Sequence, residues 1–230
     1  DFHHITPLLL ERAIAMAGTP PVTVLHFDNH PDWVRFEAGV HCGSWVGLAA
    51  RLPQVAKVIT VGVCSRDIDR ADPRTTDLEI VADGRMEIYA WRPSPTLSLC
   101  GRAWPTIEAM GEAAFAAYLP QRITTEAVYI TIDKDLLSPG EAGTNWDQGR
   151  TSVAFLHALI AGAVAGRRLI GADVVGDWSA ADYGGGLFDG LLKRGEAILD
   201  QPWRPPSADA VAANQAINLG LLQQMRSATQ

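Results

Sequence analysis

Two apolar runs frame this chain, at 22–27 and 127–132, each rich in β-branched and aromatic residues and each stopping abruptly at acids. Short unbroken runs of this kind predict strands buried on both faces of a parallel sheet. Related patterns predict strands at 55–63 and 168–175, and shorter ones at 78–81 and 86–90. Helical spacing fills the intervals at 8–17, 45–52, 107–119, 153–165 and 208–225. Thr6 reads as the N-cap of the first helix with Pro7 at its first helical position, and Ser44 reads as the cap of the second. The polar stretch 64–76 is expected on the surface, 92–105 as irregular connection and 176–179 as a loop, while 183–192 is Gly-rich and ambiguous. Regular alternation of strand, loop and helix, with no internal repeat and no linker, predicts one α/β domain over residues 1–230.

Composition narrows the function. A chain of 230 residues, 47% hydrophobic, can bury a sizeable core. A net charge of −7 and the lack of a basic cluster beyond Arg167-Arg168 argue against a nucleic-acid surface. No apolar run is long enough to span a bilayer. Cys42, Cys64 and Cys100 are too far apart for a zinc knuckle, and their odd number favours a reducing cytoplasm. Small-molecule chemistry is the default that remains.

The acids that end the two runs carry that chemistry. Asp28, His30 and Asp32 alternate after the first run, and in an extended chain they would point the same way. Asp133 and Asp135 alternate after the second, and alternation should turn the intervening Lys134 away. His3 and His4 stand just ahead of the first helix. Parallel sheets gather ligands at the C-terminal ends of their strands, so these groups are expected to meet. Five carboxylates and imidazoles, with His3 a sixth, exceed the complement of one zinc ion. Two ions sharing carboxylates fit better, and such pairs generate hydroxide at neutral pH. Oxygen and nitrogen donors of this kind suit Mn²⁺, Fe²⁺, Zn²⁺ or Ni²⁺. His26 and His157 are assigned to packing or surface.

These three segments, in this order, resemble the ureohydrolase family, which includes arginase, agmatinase and formiminoglutamase. Its Gly-Gly-Asp-His, Asp-x-His-x-Asp and Asp-x-Asp segments are matched by residues 1–4, 28–32 and 133–135. The resemblance implies a three-layer αβα sandwich around a mainly parallel sheet, a fold shared with deacetylases, and a binuclear manganese site. By the same resemblance His3, Asp28, Asp32 and Asp133 hold one ion, while His30, Asp28, Asp133 and Asp135 hold the other. His3 rather than His4 takes the ligand place from the register of Ile5-Thr6. His41, in His41-Cys42-Gly43, falls where the family has a proton-shuttling histidine, a role that suits an imidazole near neutral pKa.

Two departures bear on substrate. The family's glutamate after its last strand aligns with Gly176, with Asp177 one step later. Its Gly-Thr-Gly-Thr-Pro loop becomes the segment 143–149, where Trp146 and Asp147 would line a differently shaped pocket. Asp177, Asn145 and Asp147 are the expected substrate contacts, and Asp177 with His41 the expected catalytic pair. The expectation is a cytoplasmic hydrolase of a linear C–N bond in a guanidino, amidino or formimino compound, which the resemblance suggests is a homo-oligomer. The alternatives are a zinc amide hydrolase of the deacetylase kind and a non-catalytic binding protein of the same fold.

Overall fold

The computed structural model describes residues 2–69, 71–178 and 207–228. The Gly-rich stretch 183–192 lies outside the described residues. Among the described residues five strands form one parallel sheet in the order β3-β2-β1-β6-β7, with β1 at Val22–Phe27, β2 at Val55–Val63, β3 at Met86–Ala90, β6 at Ala127–Asp133 and β7 at Arg168–Val175. Every residue of β1 and β6 is buried, as their unbroken apolar runs require. α1 (Thr6–Met16) and α2 (Trp45–Arg51) pack on one another and against β7 and β2. α5 (Glu112–Arg122), α6 (Val153–Val164) and the final helix α7 (Ala208–Ala228) form a second helical group, completing a three-layer αβα sandwich.

The order of the strands places the site. From β1 the chain winds outward through β2 to β3, then returns to β6 on the other side of β1. Winding therefore reverses between β1 and β6, and a crevice opens there above the carboxyl ends of the two strands. Both acidic segments leave the sheet at that crevice.

Several local expectations are corrected. Residues 78–81 are not a strand: a short helix, α3 (Glu79–Ala82), occupies them, with Asp77 and Glu79 at its positive N-terminal end and Asp83-Gly84 stopping it. The segment 92–105 contains a hairpin of β4 (Thr96–Leu99) and β5 (Arg102–Pro105). Its two-residue turn puts Cys100 and Gly101 at φ +50° and +74°, the conformation that suits the strands' twist. The helix expected over 107–119 breaks at Gly111, φ +82°, into α4 (Ile107–Met110) and α5. Thr6 does not cap α1 but is its first residue, and its hydroxyl donates instead to Asp173 Oδ1 at 3.2 Å. Ser44 gives α2 no side-chain cap and receives the His41 N–H at 3.0 Å.

Candidate metal centre

A row of polar side chains crosses the sheet beneath the crevice. In register, His26 of β1 lies beside Thr60 of β2 and Thr131 of β6, and Thr131 lies beside Asp173 of β7. All but Asp173 are fully buried. Thr131 donates its hydroxyl proton to Asp173 Oδ1 at 2.7 Å, so it accepts from His3 Nε2, 2.8 Å away. That hydrogen bond turns His3 Nδ1 toward Asp32 Oδ2 at 3.2 Å, Asp28 Oδ2 at 3.3 Å and Asp133 Oδ2 at 3.7 Å. His26 is held in the same manner, with Nδ1 3.1 Å from Thr60 Oγ1 and Nε2 2.7 Å from Asp28 Oδ2. His26 thus belongs to the cluster, correcting its assignment to packing or surface. The signal was available, since 26 and 28 are two apart at the end of β1, where the Asp28 N–H still bonds Val61 of β2, and so share a face. His157, by contrast, hydrogen-bonds Gln224 of α7, away from the acids.

Beyond β1 the backbone bends, so His30 and Asp32 reach the site by a folded loop rather than by extended alternation. Asp28 Oδ1 accepts the His30 N–H at 2.6 Å, and Asn29 Oδ1 accepts the N–H of Cys64 at 3.0 Å, pinning the turn to the end of β2. Asp32 takes a left-handed φ of +49°, and the buried Trp45 indole donates to its Oδ2 at 2.7 Å. Trp45 also lies against both imidazoles, with ring centroids 4.8 Å from His3 and 4.9 Å from His26. His30 Nδ1 sits 2.9 Å from Asp135 Oδ2, and its Nε2 2.9 Å from Asp147 Oδ1.

Two donor groups result. One atom from each of His3, His26, Asp28 and Asp32 lies within 4.8 Å of the others, and the same holds for Asp28, His30 and Asp135. Asp28 is common to both. Asp133 stands beside the first group and also caps the turn of residues 134–136 by accepting the Asp135 N–H at 3.0 Å.

Charge balance shows what the cluster fits. Asp28, Asp32, Asp133 and Asp135 are exposed by only 1, 8, 1 and 2%. Four carboxylates cannot all ionise in such a place without cations. Burial and the neighbouring acids raise Asp133 well above the ordinary carboxylate range, and burial with the charge of Asp28 pushes Asp135 up to about 7. Asp32 is raised by burial and by Asp28. Burial opposes charge on His3 and His30, yet Asp28 and Asp32 raise the first, and Asp135 and Asp147 the second, well above the usual imidazole value. Burial also works against ionised Asp28, but His26, His3 and His30 hold it well below the carboxylate range. The ion-free chain therefore gathers protons where divalent cations would supply the charge.

Groups whose folded pKa is raised stabilise the fold at low pH and lose that effect as pH climbs through the folded value. The ion-free chain should thus lose stability as pH rises from about 4, the unfolded carboxylate value, through 7. Added ions should reverse the slope, because they bind deprotonated ligands. Calorimetric titration with Mn²⁺ or Zn²⁺ in buffers of different ionisation enthalpy should show proton release and affinity rising with pH. Affinity independent of pH would contradict this charge account.

At the end of β7 the aligned glutamate position is closed by geometry. Gly176 has φ +82°, and a Cβ there would collide with Asp133 Oδ1 and lie 2.6 Å from Lys134 N. Lys134 turns away from the acids, as alternation expects, and is fully buried. Its ammonium donates to Asp177 Oδ1, and to Asn218 Oδ1 at 2.8 Å, while Asn218 Nδ2 donates to Asp177 Oδ2 at 3.0 Å. Burial raises the Asp177 carboxyl less than Lys134 and Asn218 lower it, so it is held ionised. The carboxylate expected to meet substrate is instead engaged within the protein by Lys134 and Asn218.

Of the remaining candidates, Asp147 flanks a cleft. His30, Trp146 and Asp147 line a space of about 590 Å³ together with Ser65 and Arg66. Asn29 Nδ2 donates to the Asp147 backbone at 2.8 Å and to its carboxylate at 3.1 Å, fixing Asp147 over His30. Asn145 is buried in the same loop. His41 begins the turn of Cys42–Ser44, which packs on the turn of His3–Ile5. Gly43 N–H donates to His41 Nδ1 at 3.1 Å, leaving Nε2 as the proton-bearing nitrogen. A second groove of about 620 Å³, between α1 and β7, is lined by no acid and no histidine.

A parallel sheet in this order, bearing acids at the carboxyl ends of β1 and β6, defines the chain as having the arginase-like fold of the ureohydrolases. A hypothetical agmatinase from Burkholderia thailandensis matches with a TM-score of 0.58 and 23% identity over 98% of this chain and 58% of that one. The proclavaminate amidino hydrolase of Streptomyces clavuligerus matches at 0.54 and 19% over 86% and 60%. Arginase from Bacillus subtilis matches at 0.53 and 16% over 84% and 69%. At these identities the likeness establishes the fold. In sequence, an uncharacterized protein of Thermotoga maritima is 28% identical over 178 residues, 77% of this chain and 55% of that protein. The chain thus spans little more than half the length of several of these relatives. No protein-family model matches it.

Proposed function

We propose that the chain is a binuclear metal-dependent hydrolase of a linear C–N bond, acting on a guanidino, amidino or formimino compound. The observation that carries this reading is the pair of overlapping donor groups joined by Asp28. His3, Asp28, Asp32 and Asp133 would hold one ion, and His30, Asp28, Asp133 and Asp135 the other, with Mn²⁺ the first candidate and Ni²⁺, Fe²⁺ and Zn²⁺ compatible with the donors. When bound, two such ions acidify water and polarise the carbon under attack. The protein's own groups supply orientation and protons. Asp147 and Trp146 form the cleft wall beside His30, where substrate would enter, and Asn145, buried next to them in sequence, would be a further contact. His41 would deliver a proton from Nε2 to the departing nitrogen.

The names of the solved relatives, agmatinase, amidino hydrolase and arginase, support the substrate class. The cysteines are free, in keeping with a reducing cytoplasm. Assembly into a homo-oligomer remains part of the proposal. The engagement of Asp177 by Lys134 favours one rival, a binding protein of this fold without turnover.

Assay of urea, ammonia or amine release from guanidino, amidino and formimino compounds, with each metal in turn, separates the two. Turnover is expected with Mn²⁺, lost on chelation and reduced on the order of 10²-fold or more in His41→Ala. No turnover with any metal would favour the binding protein.

A further inference from the structure

We infer that His26 is a direct metal ligand, so that the first ion sits among two imidazoles and two carboxylates and is bound more tightly as Zn²⁺ than as Mn²⁺. The inference rests on the metal-site reading above and changes it in one ligand: His26, absent from the set assigned there, takes the place at the first ion given to Asp133, whose carboxylate is the farthest of the three from His3 Nδ1, at 3.7 Å.

Three observations carry it. The first is spacing. Tetrahedral zinc with bonds near 2.0–2.1 Å separates its ligand atoms by about 3.3 Å. His26 Nε2 lies 2.7 Å from Asp28 Oδ2 and 3.7 Å from Asp32 Oδ2, and His3 Nδ1 lies 3.3 and 3.2 Å from the same two atoms. These four distances straddle that separation. The second is orientation. Each imidazole has its outer nitrogen on a buried threonine hydroxyl, Thr131 for His3 and Thr60 for His26, and its inner nitrogen toward the acids. Outer partners of this kind fix ring direction and tautomer in metal-ligating histidines. The third is enclosure. His3 and His26 have no exposed surface, and Trp45 abuts both rings and hydrogen-bonds Asp32, so the pocket is shaped from three sides.

Metal preference follows from donor chemistry. Imidazole suits Zn²⁺, Ni²⁺ and Fe²⁺, whereas sites of carboxylate and water suit Mn²⁺. The second group offers one imidazole and two carboxylates and lies partly open at His30. The two positions are therefore unequal: a closed nitrogen-rich one and a more open oxygen-rich one.

X-ray absorption at the zinc edge, on the wild-type chain loaded with one equivalent of Zn²⁺, counts imidazoles directly and needs no variant. Two per zinc are expected; one per zinc would overturn the inference. Competition titration then compares wild type with His26→Gln. A loss of first-site Zn²⁺ affinity beyond about 100-fold, with second-site affinity unchanged, is expected, because loss of an outer partner alone costs roughly 10–100-fold. A change within twofold would reduce His26 to a hydrogen-bond partner of Asp28 and leave the two-ion reading intact. A wild-type chain that binds no ion would sink both.

Discussion

Replacing Asp28 with Asn is expected to release both ions at once. Asp28 belongs to both donor groups, and it is the carboxylate that the surrounding histidines keep ionised. Asn preserves its shape and its contact with the His30 N–H but offers the ions no charge. At ion concentrations a thousandfold above Kd, each bound ion should stabilise wild type by about 4 kcal/mol. For a chain of this size that raises Tm by roughly 8–16 °C per ion. The Asp28→Asn variant should show almost none of this, whereas Asp135→Asn, which removes a ligand of one group only, should keep a single ion. Differential scanning fluorimetry with and without metal distinguishes these outcomes. An Asp28→Asn variant that retained one ion would mean the two positions are held independently.

Restoring the aligned glutamate by Gly176→Glu is expected to damage the site rather than to complete it. A side chain there needs a left-handed φ of +82°, at about 1–2 kcal/mol, and its Cβ would drive into Asp133. Displacing Asp133 also disturbs the cap on the Asp135 turn and one of the three carboxylates that face His3. A loss of roughly 3 kcal/mol or more, or about 6–12 °C in Tm, is expected, together with weakened metal binding and no gain of guanidinium hydrolysis. A variant that melts as wild type does and binds ions normally would show that the end of β7 yields easily, and would return Gly176 to the status of an accidental substitution.

The strands of the sheet were legible because residues buried on both faces leave an unbroken apolar signature, and β1 and β6 carry it most clearly. The grouping of acids at their ends followed from parallel topology. What the sequence could not show was how the loop folds. The alternation argued for His30 and Asp32 does not exist beyond Phe27; Asp32 arrives through a left-handed backbone and a tryptophan that binds it. The same rule, applied one step backward along β1, would have found His26, where the chain is still extended. Asp177 was legible as a carboxylate near the right strand but not as the partner of Lys134, because that pairing depends on Asn218, some forty residues further along. The hairpin at Cys100-Gly101 and the helix at Glu79–Ala82 were too short for periodicity to separate from their alternatives.

The central claim is that two cations share Asp28. Anomalous diffraction from a wild-type crystal grown with Mn²⁺ or Zn²⁺ tests it most directly. Two peaks are predicted, both against the Asp28 carboxylate, one facing His3 and the other facing His30. A single peak, no peak, or two peaks of which only one touches Asp28 would contradict it.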